Sequence, residues 1–132
     1  MKTIGSYAIE ITTQRPFEDA IARVTATLAE QGFGVLTEID VQATFKKKLD
    51  LDVRPYRILG ACNPGFASRA IAAEPHVGVL MPCNVVVWEE GTHRVITAME
   101  PKVMVSVIDH PELAGVAVEA SARIHAALAN VG

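Results

Sequence analysis

Two helical stripes, one near each end of the chain, bracket a stretch whose apolar residues run at strand spacing. That order limits the fold more than anything else in the sequence. Phe17, Ile21, Val24 and Leu28 recur at intervals of four, three and four, which lines one face of an α-helix. Pro16 opens this helix, at the position where a missing N–H costs nothing, and Gly32 closes it as a C-terminal cap. Near the other end, Leu113, Ala117, Ala120, Ile124, Ala127 and Val131 form a second stripe, about five turns long at the 3.6-residue period. Asp109 and Glu112, three apart, predict a capping-box start for it. This last helix is rich in alanine and holds Gly115, and small residues permit close approach to a sheet or to a partner subunit.

Between and before the stripes the pattern is extended. Residues 2–11 predict a strand, with alternation clearest at Tyr7, Ile9 and Ile11. Phe33 to Ile39 predicts a second, and Asp40 caps a short helix through Leu49 with Val41, Phe45 and Leu49 on one face. After a turn at Asp50 to Pro55, Tyr56 to Ala61 predicts a third strand. Asn63-Pro64 then reads as an N-cap followed by an N1 proline, starting a short helix that ends near Ala73, before Glu74-Pro75. Val77 to Glu90 reads as extended and rich in valine, but fourteen residues is long for one strand. Pro82 cannot donate a ladder hydrogen bond, so it marks a bulge, a bend or an edge there. Gly60 and Gly78 fall in strand patterns, where glycine signals a bulge or a close backbone approach. Glu89 to Thr92 is a hairpin turn, Arg94 to Met99 is the returning strand, and Glu100-Pro101 stops it. The order is strand, helix, four strands with short helical insertions, helix. It predicts one α+β domain over residues 1–132, a mostly antiparallel sheet with helices packed on one face.

Composition narrows the function. Apolar residues make up 50% of the 132 positions but aromatics only 5%, so the core is aliphatic and offers few stacking surfaces for bases or flat cofactors. A net charge of −3 argues against a nucleic-acid partner, which calls for a basic face. The run Lys46-Lys47-Lys48 reads as the solvated side of a short helix. No segment has the apolar length that crossing a bilayer requires. Met1 to Gly5 lacks the apolar region of a signal peptide. The expectation is a cytoplasmic protein with no membrane or nucleic-acid partner, in which two cysteines are free thiols. Gly60, Gly65 and Gly78 form no phosphate loop, and no cofactor is expected.

The chemistry concentrates at a dipeptide that occurs twice, Cys62-Asn63 and Cys83-Asn84, using both cysteines. Asn63 as N-cap puts the Cys62 thiol just outside a helix N-terminus, a setting that favours thiolate. Cys83 has no helix after it. The plainer reading makes both small buried hydrophobes. A metal site would draw on Cys62, Cys83, His76, Met81 and His93, but no close-spaced ligand pair announces one. A cysteine hydrolase would need His76, His93, His110 or His125 as a base, and spacing places none beside a thiol. No catalytic signature is complete.

Gly60-Ala61-Cys62-Asn63-Pro64 and Leu80 to Val87, together with Gly32 to Val41, Lys48-Leu49, Pro55 to Leu59 and Pro101, resemble the uncharacterised family catalogued as domain of unknown function 302. The resemblance runs from about Phe17 to Leu128. It implies a TATA-binding-protein-like architecture and a homodimer, and establishes no activity. It also implies that Asn63-Pro64 and Pro82 are shared by the wider family, while the cysteines mark a subgroup.

Three functions follow. The first is a homodimeric domain that binds a small ligand in a pocket between sheet and helices, its mouth near Cys62, Asn63, Pro64, Pro82, Cys83 and Asn84. The second is a thiol- or metal-dependent redox protein using Cys62 and Cys83. With a strand beginning at Val77, an antiparallel pair would set Cys83 six residues along and roughly 20 Å from Cys62. The third is a structural subunit that meets its partner through the alanine-rich helix and a strand edge near Pro82.

Overall fold

The computed structural model describes residues 1–132. Its strands are β1 (Lys2–Ile4), β2 (Ala8–Thr13), β3 (Gly34–Asp40), β4 (Tyr56–Cys62), β5 (Cys83–Glu90) and β6 (His93–Met99). Its helices are α1 (Phe17–Glu30), α2 (Val41–Leu49), α3 (Pro64–Ala73), α4 (Val103–Val107) and α5 (Pro111–Ala129), and a 3-10 turn covers Pro75–Leu80. The six strands form one sheet in the order β1-β2-β6-β5-β4-β3, and every neighbouring pair is antiparallel.

The α+β class and the antiparallel sheet are those the sequence predicts. Residues 2–11 are not one strand, because Gly5 turns the chain with φ at +51° and sets β1 back against β2. Val77 to Glu90 is not one strand either. Pro75 and the cap from Glu74, whose carboxylate accepts the His76 N–H at 3.0 Å, wind the chain into the 3-10 turn. Strand β5 therefore begins only at Cys83. Pro82 lies just before a central strand, neither inside it nor on an edge, and Gly78 sits in the turn. Pro16 is the residue before α1, not its first turn. Pro111 occupies the first turn of α5, so the cap falls on His110, whose Nδ1 accepts the Glu112 N–H at 3.1 Å, and not on Asp109.

The core lies between one face of the sheet and helices α1 and α5. Ile9, Leu59, Val85, Val87 and Ile96 from the strands meet Val24, Leu28, Ile124 and Leu128 from the helices. Each such side chain removed from water contributes about 1.5–3 kcal/mol before entropy is counted. A smaller cluster, Ala70, Val77, Met104, Leu113 and Ala117, joins α3, the 3-10 turn and α4 to α5. Helix α2 stands apart. Tyr56 and Ile58 point away from Leu59 and Ala61 by strand alternation, and Val41 and Phe45 of α2 line a hollow with them. No helix is long and apolar enough to cross a membrane.

Candidate functional site

The end of α1 fixes one wall of the site. Gly32, at φ +82°, lets two backbone bonds close the helix, Gly32 N–H to Ala29 O at 3.0 Å and Phe33 N–H to Leu28 O at 2.9 Å. This is a Schellman ending, and it turns Phe33 inward, where it is 2% exposed. A Cβ on Gly32 would lie 2.9 Å from Asn63 Nδ2, so the same glycine makes room for the second wall. Asn63 caps α3 as the sequence predicts: its Oδ1 accepts the Phe66 N–H at 3.2 Å, and Pro64 stands in the first turn.

Strand register brings the rest together. In the antiparallel pair β4–β5, Ala61 lies opposite Cys83, so Cys62 is one residue beyond. The separation of about 20 Å expected for antiparallel neighbours does not arise, because β5 starts at Cys83 rather than at Val77. Gly60 lies opposite Asn84. A Cβ on Gly60 would come within 2.1 Å of Thr37 Oγ1 and 2.8 Å of Pro82 Cγ. The bulge in β3 between Val35 and Thr37 is what seats Thr37 there.

These walls enclose a cleft of about 300 Å³ between the two apolar clusters. Phe33, Ala61, Met104, Val116 and Ala120 form its buried floor. Phe66, Ala67, Met81 and the half-buried Cys62, Asn63, Pro82 and Cys83 form its sides. Leu36 and Ile71, 69% and 46% exposed, stand at the rim. The space exists because the facing residues on β4, α3 and α5 are alanines.

Of the residues singled out from sequence, Cys62, Asn63, Pro82, Cys83 and Met81 line this one cleft. Pro64 shapes the helix entrance without lining it. Asn84 is exposed on the opposite face of the sheet, as alternation from Cys83 requires. His76 is exposed and pairs through Nδ1 with Glu74 at 2.6 Å, outside the cleft. His93 begins β6, opposite Glu90 at the far end of β5. No group of three or more His, Cys, Asp or Glu side chains is placed to hold a metal ion. Phe33, Leu36, Phe66, Ile71, Met104 and Val116 left no separate trace in the sequence. The alanines of the last stripe, whose size the sequence marks as permitting close approach, instead leave space at Ala120, which lines the cleft.

Burial pushes the Cys83 thiol up to about 11, and Cys62 nearby adds to the rise. At neutral pH this thiol is protonated, which makes it a poor nucleophile. Part of the contact surface expected for a structural subunit is used internally, while Gly115, Val118 and Ala122 of α5 stay exposed. The small-residue face of α5, with Ala117, Ala120 and Ala127, is buried, and β5 is flanked by β4 and β6.

No curated protein matches this chain. An uncharacterized conserved protein, DUF302, from Bacillus stearothermophilus, known from a crystal structure, is similar over 95% of this chain and 98% of its own, with 28% identity and a TM-score of 0.86. The family model described as domain of unknown function DUF302 matches residues 9–131. With nearly the full length matched, the chain belongs to the DUF302 family.

Proposed function

We propose that this protein binds a small molecule in the cleft between β4, the start of β5 and helices α3 and α5. The observation that carries the reading is the cleft itself: about 300 Å³, at the lower end of the range for small-molecule sites. Polar groups gather on one side, Asn63 and the two thiols, against an apolar floor. The thiol-redox alternative is weaker, since Cys83 is held protonated by burial. Two cysteines read as free thiols fit a cytoplasmic setting.

The test fills the cleft from within. Ala67→Phe adds a ring from the α3 wall, and Asn84→Ala, on the far face, serves as control. A panel of small uncharged and charged fragments is screened by ligand-observed NMR. Binders should be lost in Ala67→Phe and kept in Asn84→Ala. If no fragment shows that dependence, the cleft is not a ligand site.

We also propose that the chain self-associates, as its family resemblance implies. Where α2 leaves it uncovered, the sheet face opposite the core offers Ile39, 49% exposed, and the half-buried Val86 to a second copy. Light scattering at twice the 14.2 kDa chain mass supports this, and a single-chain mass at every concentration removes it.

A further inference from the structure

None of the fifteen residues lining the cleft is charged, and twelve are hydrophobic. Two arginines on the neighbouring helices lie outside the lining and have partners of their own. Arg123 lies over the Phe66 ring at 5.4 Å and donates to Gln31 O at 3.3 Å, and Arg69 bridges Glu112 and Glu119. A charged ligand group on the cleft floor would meet no charged lining residue, and burying an unpaired charge is strongly unfavourable. The protein carries an internal gauge of this: burial raises the Cys83 thiol to about 11, the same penalty on negative charge that a ligand carboxylate would meet.

Shape narrows the class further. The two aromatic rings of the cleft, Phe33 and Phe66, are 6.2 Å apart and tilted by 56°, so they form no slot for a flat ring. The remaining walls are flexible or branched aliphatics, with Met81 and Met104 able to adapt to a chain. Polar contacts are few: Thr37, the two thiols and Asn63, of which the Asn63 amide is the strongest donor. Asn63 uses its Oδ1 for the α3 cap, which leaves its Nδ2 free to donate.

Resting on the reading of the cleft as a ligand site, we propose that its ligand is an uncharged aliphatic molecule small enough for a cleft of about 300 Å³. It carries a single hydrogen-bond acceptor that meets Asn63 Nδ2. The chain enters past Leu36 and Ile71 and lies along Met104, Val116 and Ala120.

Calorimetry with a series of primary n-alcohols from butanol to undecanol tests this, beside octanoate, octylamine and the flat 2-naphthol at neutral pH. Affinity should rise about fourfold for each added CH₂ and level off once the chain fills the cleft. Octanoate and octylamine should bind about tenfold or more weakly than octanol, and 2-naphthol more weakly than the alcohol of matching size. A flat series, or a charged or aromatic compound that binds as well as its alcohol counterpart, overturns the proposal. If such a compound still loses its affinity in Ala67→Phe, the cleft remains a ligand site and only the ligand class is wrong. If nothing in the series depends on Ala67, both readings fall.

Discussion

Cys83 sits where a buried side chain and a binding surface are the same thing, and its proton reports on both. Its thiol is held at about 11 against an ordinary 9.0. Above pH 9 the unfolded chain releases this proton while the folded chain keeps it. The native state then binds more protons, and stability falls as pH climbs from 9 toward 11. Urea denaturation at about pH 8 and about pH 11 should show a larger loss for the wild type than for Cys83→Ala. Equal losses would mean that the thiol is not held protonated by the fold. The sequence pointed to Cys62 and Cys83 as one address, and they do share one cleft. What it could not supply was their closeness, because that follows from where β5 begins.

Element boundaries decided which readings of the sequence survived. Amphipathic stripes are local and dense, so α1 and α5 were legible to within a residue or two. The strand start at Cys83 was not, because Val77, Val79 and Leu80 have strand-like chemistry and are wound into a 3-10 turn by Pro75 and the Glu74 cap. Gly60 shows the opposite case. Its sequence signal, a glycine inside a strand, correctly marked a close approach, but only the fold names Thr37 and Pro82 as what approaches. Gly60→Ala should destabilise the protein by about 1–3 kcal/mol, as overpacking does, and should disturb ligand binding because both displaced residues line the cleft. Gly34 in β3 has nothing within 4 Å of a built Cβ, so Gly34→Ala should leave the denaturation midpoint nearly unchanged. Equal effects at the two glycines would show that strand propensity, not the cleft wall, governs Gly60.

Across the whole molecule, the helices and strands combine through one long connection. Strands β3, β4, β5 and β6 each pair with their neighbour in sequence, whereas β2 closes onto β6 with Ala8 opposite Met99 and Thr13 opposite Arg94. The four-strand meander needs only modest loops to form, while the β2–β6 pairing must bring together residues more than eighty positions apart at a higher cost in chain entropy. Folding should therefore nucleate in the β5–β6 hairpin and finish with the docking of β2. Ile11→Val in β2 should chiefly speed unfolding, and Ile96→Val in β6 should chiefly slow folding. The reverse pattern in stopped-flow kinetics would place β2 in the nucleus. Until β2 arrives, β6 is an open edge beside Ile96 and Ala98, and that interval is when a nascent chain is most exposed to trading strands with a neighbour.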